Sequence, residues 1–179
     1  MSMRSVAVFG SGSVPEGDPA YRTAVELGRG LARRGAVVRC GGYAGVMAGV
    51  AAGAREMGGR VVGCTMDWFA DSRAPNPDLD EVRSSPDLES RCRCLLEGAR
   101  AAIALPGGVG TLNEVFWVWT LLLHGKAEGR SLILLGESWG GLLTFLSARF
   151  EIDTSTRRLV CIARGVDEAA TLACGDGDV

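Results

Sequence analysis

The chain has 179 residues, and 47% of them are hydrophobic, which suffices for one domain with a substantial core. Its 19 Lys and Arg residues against 21 Asp and Glu residues give a net charge of −2, which argues against nucleic acid as a partner because the phosphate backbone attracts a basic surface. No apolar run reaches the ~18 residues that span a bilayer, and Met1 to Ser5 lack a signal-peptide pattern. We therefore expect a cytoplasmic protein with no membrane partner.

Short apolar runs alternate with helical patterns along the chain. The runs predict strands at residues 6–9, 36–40, 60–64, 81–83, 101–105, 131–135 and 159–162. Helical spacing predicts helices at residues 19–34, 46–57, 86–99, 112–123 and 139–150, and residues 66–80 are expected to form a loop. Continuous apolar strands are buried on both faces, so the pattern predicts an α/β fold with a doubly wound parallel sheet. We expect a single domain over residues 1–174 and a frayed tail at residues 175–179.

Histidine and cysteine content limits the possible metal chemistry. The chain has one histidine, His124, and no Cys-x-x-Cys pair, so we expect no metal site. The spacing of Cys92 and Cys94 is too tight for the usual zinc motif. The six cysteines are expected to be reduced thiols in a chain of this size without a signal peptide: Cys40, Cys64, Cys92, Cys94, Cys161 and Cys174.

Three loops rich in small residues follow predicted strands and precede predicted helices. The candidate phosphate- or nucleotide-binding residues in them are Gly10, Ser11, Gly12, Ser13, Gly41, Gly42, Gly45, Gly107, Gly108, Gly110 and Thr111. Such turns expose backbone N–H groups at a helix N-terminus and attract phosphate, although tight strand-to-helix turns need glycine in any case. The dinucleotide fingerprint, the Walker phosphate loop and the Gly-x-Ser-x-Gly elbow are all absent.

Two charged residues are candidates for catalysis at the same crevice. Glu114 lies about one helical turn after Thr111 and can face the loop, where it would contact ribose hydroxyls or water or stabilise a developing cation. The alternative is a glutamate that only complements the helix dipole. Arg91, on the preceding helix, can hold phosphate or ribose, or it can be a solvated helix residue.

The motif residues together resemble the LOG family, whose members were long labelled lysine decarboxylases. The resemblance rests on Gly41-Gly42-x-x-Gly45-Val46-Met47, on Arg91 and on Pro106-Gly107-Gly108-x-Gly110-Thr111-x-x-Glu114, and covers roughly residues 4–150. It implies a Rossmann-like fold, a homodimer, and hydrolysis of the N-glycosidic bond of AMP or N6-substituted AMP to a free base and ribose 5-phosphate. Arg91 and Glu114 match the family's catalytic residues, and no cofactor is implied.

Other functions stay open at this point. Related molybdenum-cofactor carrier proteins share the glycine motif, so a non-catalytic carrier or nucleotide-binding protein is the main alternative. Decarboxylation would need a lysine for pyridoxal phosphate, and the chain's single lysine, Lys126, falls in a turn after a helix. The apolar helix with Phe116, Trp117, Trp119 and residues 121–123 fits either the core or a homodimer interface.

Overall fold

The computed structural model describes residues 5–127 and 129–175, and strands alternate with helices along most of this part of the chain. The strands are β1 (Ser5–Phe9), β2 (Val37–Cys40), β3 (Val61–Met66), β4 (Glu81–Ser85), β5 (Ala99–Ala104), β6 (Ser131–Leu135) and β7 (Val160–Ala163). The helices are α1 (Pro19–Arg33), α2 (Val46–Glu56), α3 (Leu88–Leu96), α4 (Val109–Leu123), α5 (Ser138–Arg149), α6 (Thr154–Arg157) and α7 (Val166–Cys174). A short 3₁₀ helix occupies Asp67–Phe69. The predicted α/β fold is confirmed.

The strands form one parallel sheet in the order β4-β3-β2-β1-β5-β6-β7. The chain builds the sheet outward from β1 to β4, then crosses back to place β5 on the other side of β1, where Val8 pairs with Ile103 and Phe9 with Ala104. The strand order therefore reverses between β1 and β5. In open parallel sheets the crevice for ligands lies at this point, outside the carboxyl ends of the strands.

Helices cover both faces of the sheet, which explains why the central strands are apolar on both sides. On one face, α1, α2 and α7 pack on the sheet through residues such as Leu27, Val50 and Ala170. On the other, α3, α4 and α5 pack through residues such as Leu95, Val118 and Leu143. The sheet is thus doubly wound, as the sequence predicts.

Local capping fixes where the helices start. Asp18 caps α1 by accepting a hydrogen bond from the Ala20 N–H at 2.7 Å, with Pro19 in the first turn as predicted. Asp87 caps α3 by accepting a hydrogen bond from the Ser90 N–H, so α3 begins at Leu88. The helix ends at Leu96 and is therefore shorter at both ends than the predicted helix over residues 86–99. Helix α4 begins at Val109 and not at residue 112, which puts the end of the glycine motif into its first turn.

Two helices were not predicted from the sequence. Helix α6 has only four residues. Helix α7 buries the small side chains of Ala169, Ala170 and Ala173. Gly175 ends α7, and the rest of the tail expected to fray lies outside the described residues. Within the described part of the chain, no helix is both long and apolar enough for a membrane crossing.

Candidate active site

The three glycine-rich loops meet at Ser11, directly after β1. The Ser11 N–H donates to the Pro106 carbonyl at 3.4 Å, and the Ser11 carbonyl accepts from the Val46 N–H at 2.8 Å. Its hydroxyl oxygen accepts from the Ser13 N–H at 3.2 Å. One residue therefore joins the loop after β1 to the loop after β5 and to the start of α2.

Two of the predicted site glycines make this close approach possible. A Cβ at Gly107 would collide with Thr111 Oγ1 and would lie 2.8 Å from the Ser11 nitrogen. A Cβ at Gly45 would collide with the Ser11 carbonyl oxygen, and Gly45 also has a φ of 68°, which L side chains rarely adopt. These positions hold the loops together through backbone contact.

The first turn of α4 lies at the rim of the crevice. Its N-cap residue, Gly108, has no side chain to cap the helix, and residues 106–110 are exposed. Free N–H groups at a helix N-terminus and the positive end of the helix dipole favour an anion. The hydroxyl of Thr111 lies beside Gly107 in the same turn.

Arg91 and Glu114 lie side by side in the crevice. Arg91 Nη1 is 3.4 Å from Glu114 Oε1, and both side chains are largely buried. Arg91 Nε donates to the Cys64 carbonyl at 2.9 Å, which anchors the guanidinium to the end of β3. A Cβ at Gly41 would collide with Arg91 Nη2, so the guanidinium lies directly over this glycine.

Burial changes the acidity of Glu114. It raises the pKa of this carboxyl from 4.5 to about 7, while the positive charge of Arg91 acts in the opposite direction. A carboxyl with a pKa near neutrality exists in both protonation states at physiological pH. Such a group is suited to acid–base chemistry or to stabilising a positive charge.

A cavity of about 250 Å³ contains these groups. Ten of the predicted residues line it, namely Gly10, Ser11, Gly12, Ser13, Gly41, Arg91, Gly108, Gly110, Thr111 and Glu114. Gly42, Gly45 and Gly107 do not line the cavity. Gly42, with a φ of 77°, packs against Thr65 and Gly63, and the other two pack against Ser11 and Thr111.

An aromatic wall of the cavity was missed in the sequence. It consists of Tyr43, Phe69 and Arg73. The Tyr43 and Phe69 rings meet edge to face with their centroids 5.8 Å apart, and the Arg73 guanidinium lies 4.3 Å from the centroid of the Phe69 ring. The loop that carries Phe69 and Arg73 is tethered, because the Asn76 N–H donates to the Gly42 carbonyl at 2.9 Å. This contact depends on the fold, so periodicity in the sequence could not have revealed it.

The positions of possible metal ligands and of Lys126 bear on metal-dependent and lysine-dependent chemistry. Among residues 5–127 and 129–175, no group of three or more His, Cys, Asp or Glu side chains is placed to hold a metal ion. Lys126 is exposed and follows the C-terminal end of α4, whereas the cavity lies at the N-terminal end. Because a 15-residue helix is about 22 Å long, this lysine lies far from the cavity.

Known proteins resemble this chain in sequence and in fold. A family model described as "possible lysine decarboxylase" matches residues 47–174. The cytokinin riboside 5′-monophosphate phosphoribohydrolase of Mycobacterium tuberculosis is 32% identical over 169 residues, which cover 88% of this chain and 87% of that protein. The X-ray structure of the protein TM1055 is 30% identical with a TM-score of 0.74, covering 95% of this chain and 98% of that one.

A further solved structure shares the fold alone. The molybdenum cofactor binding protein of Rippkaea orientalis is 23% identical with a TM-score of 0.75, covering 96% of each chain. The doubly wound sheet with its crevice between β1 and β5 defines the class of open parallel α/β proteins, whose ligands generally bind at the carboxyl edge of the sheet. Within that class, the family model and the relatives show that the chain belongs to the LOG family.

Proposed function

We propose that the protein is a phosphoribohydrolase that cleaves the N-glycosidic bond of AMP or N6-substituted AMP, giving a free base and ribose 5-phosphate. The observation that carries this proposal is the contact between Arg91 and the buried Glu114, in a cavity that also contains the N-terminus of α4. A single carboxylate next to an anion-binding helix end suits a sugar that carries a phosphate at one end.

The phosphate group is assigned to the first turn of α4. Gly108, Gly110 and Thr111 line the cavity there and offer backbone N–H groups and a hydroxyl. Ser11 and Ser13 line the same cavity, and their hydroxyl groups can supply further donors. A phosphate at this position would be stabilised by the helix dipole without a metal ion.

The ribose is assigned to Glu114 and Arg91. Cleavage of the N-glycosidic bond builds positive charge on the sugar ring, and the Glu114 carboxylate would stabilise this charge and orient or deprotonate the attacking water. Arg91 would position the substrate and hold the carboxylate. The water oxygen would bond to C1′ as the base leaves with the bonding electron pair and takes up a proton.

The base is assigned to the aromatic wall. Tyr43, Phe69 and Met47 present apolar surface in the same cavity, and a purine ring can stack or pack against such groups. The nearby Arg73 is exposed and carries a positive charge over the Phe69 ring. A substituent at N6 would extend the base toward this side of the cavity.

The homodimer implied by the family is also part of this proposal. Large apolar side chains are exposed on two neighbouring helices, with Phe116 and Leu123 on α4 and Phe145 on α5. The Phe116 ring stacks on the buried Trp119 ring, with the two centroids 6.0 Å apart. A second copy of the chain would remove this surface from water.

The test is product analysis with the unmodified protein. Incubation with AMP and with N6-isopentenyl-AMP should give equal amounts of free base and ribose 5-phosphate by chromatography, and adenosine without the phosphate should be a poor substrate. Retention of intact nucleotide with no base released from any monophosphate would overturn the proposal in favour of a carrier or nucleotide-binding protein.

A further inference from the structure

A second cluster of reactive groups includes Cys64, whose carbonyl accepts the hydrogen bond from Arg91. It consists of Arg39 on β2, Cys64 on β3, Arg83 on β4, and Cys94 and Glu97 at the end of α3. Cys94 is half-buried and borders a surface cavity that Arg83 and Ser85 also line. Cys64 is fully buried beneath it.

Arg39 brings the two thiols together. Its guanidinium Nη2 lies 3.7 Å from Cys94 Sγ and 4.0 Å from Cys64 Sγ, so the two sulfurs contact the same donor nitrogen. Arg39 is only 4% exposed. Its charge is balanced by Glu97 at 3.1 Å, and its Nε donates to the Cys94 carbonyl at 2.9 Å.

This arrangement favours a thiolate on the more accessible sulfur. The neighbouring Cys64 thiol lowers the pKa of Cys94 to about 6, helped by the charges of Arg39 and Arg83 and opposed by burial. The neighbouring Cys94 thiol and burial raise the pKa of Cys64. Cys94 is therefore the thiol that ionises more readily.

We propose that Cys64 and Cys94 form an oxidisable dithiol in which Cys94 reacts first with hydrogen peroxide and Cys64 then closes a disulfide. In the first step the Cys94 thiolate attacks one peroxide oxygen, forms a sulfenic acid and releases hydroxide. In the second step the Cys64 sulfur attacks the Cys94 sulfur and expels the hydroxyl group, which leaves as water with the Cys64 proton. The two sulfurs lose two electrons and hydrogen peroxide gains them, which gives one water and one hydroxide; the hydroxide takes a proton from solvent and becomes the second water.

The disulfide would connect the two segments that position Arg91. The Cys64 carbonyl accepts the hydrogen bond from Arg91 Nε, and Cys94 follows Arg91 by three residues on α3. The oxidation chemistry itself does not depend on the proposed hydrolase activity, so each can fail without the other.

The test uses the unmodified chain, whose tryptic cleavage sites separate the cysteines. Cleavage after Arg60 and Arg73 isolates Cys64 in the peptide 61–73, and cleavage after Arg93 and Arg100 isolates Cys94 in the peptide 94–100. The reduced protein is treated with one equivalent of hydrogen peroxide, blocked with N-ethylmaleimide and digested without reductant. Mass spectrometry should show the two peptides cross-linked, at their summed mass less two hydrogen atoms, and the species should vanish on reduction.

Other results would overturn the proposal. Recovery of both peptides in their blocked form after peroxide treatment would do so, as would Cys94 linked to any other cysteine. Cys64→Ser should leave a sulfenic acid at Cys94 that dimedone traps, whereas dimedone labelling of the exposed Cys161 in preference to Cys94 would contradict the assigned order. Cys161→Ser is the matched control and should form the same cross-link as the unmodified protein.

Discussion

Arg91 connects the candidate catalytic carboxylate to the backbone of the central sheet. Its Nη1 lies 3.4 Å from Glu114 Oε1, while its Nε donates to the Cys64 carbonyl at the end of β3. The guanidinium is thus fixed through Nε and presents Nη1 to Glu114. It is therefore placed both to hold substrate and to moderate the acidity of the buried carboxyl.

The pH profile should report the acidity of Glu114. If the carboxylate form is required, kcat/KM rises with pH through about 7, because burial raises the pKa of Glu114 to about this value. Arg91→Met removes the charge that lowers this pKa, so the acidic limb should move to higher pH in addition to any loss of rate. Arg91→Lys retains the charge and is the control, whose limb should stay near that of the unmodified protein. If kcat/KM rises at the same pH in all three proteins, a group other than Glu114 controls the pH profile.

The stability of the protein should also depend on Glu114. Its pKa is higher in the folded chain than in the unfolded chain, so the folded state binds the proton more tightly and stability falls as pH rises from about 4.5 to about 7. Glu114→Gln has no ionisable group here and does not lose stability in this way. The free energy of unfolding of Glu114→Gln minus that of the unmodified protein should therefore increase by roughly 2 kcal/mol when the pH is raised from 5 to 8. Urea denaturation at the two pH values measures the difference, and a constant difference would rule out a raised pKa.

The glycines of the α4 motif should differ in their tolerance of a methyl group. At Gly107 an added Cβ would collide with Thr111 and crowd the Ser11 nitrogen, so Gly107→Ala should lower the free energy of unfolding by about 1–3 kcal/mol. Gly110 has no atom within 4 Å of such a Cβ, so Gly110→Ala should be neutral or slightly stabilising in the helix. Equal losses for the two variants in urea denaturation would contradict the packing role of Gly107.

The apolar surface on α4 and α5 should control the oligomeric state. Leu123 is 51% exposed there, and Leu123→Glu should convert a dimer to a monomer because a charge would be buried at the interface. Leu172 on α7, which is 43% exposed on the other face of the sheet, provides the control Leu172→Glu. Light scattering coupled to size-exclusion chromatography gives the mass. A monomeric unmodified protein, or a dimer that both substitutions leave intact, would refute this interface.

The sequence predicts the sheet well because its strands are continuous apolar runs, such as residues 101–105, and each is followed by a turn signal. It predicts the juxtaposition of Arg91 and Glu114 through the family resemblance, since spacing alone also allows a solvated arginine. Phe69 and Arg73 could not be predicted, because their positions depend on the hydrogen bond from Asn76 to Gly42 and not on a periodic pattern. Gly107 illustrates the converse: its motif suggests a phosphate ligand, whereas its backbone packs against Ser11 and Thr111.

The most direct test of the account is the single-turnover rate of base release from AMP in the Glu114→Gln variant. Glu114→Gln should still bind the nucleotide in calorimetry but release adenine at least about 100-fold more slowly, because the group that stabilises the developing charge is gone. Glu26→Gln, which changes an exposed glutamate on α1, is the matched control and should react at the rate of the unmodified protein. A Glu114→Gln variant that binds AMP and releases adenine within a few-fold of the unmodified rate would contradict the catalytic role of Glu114.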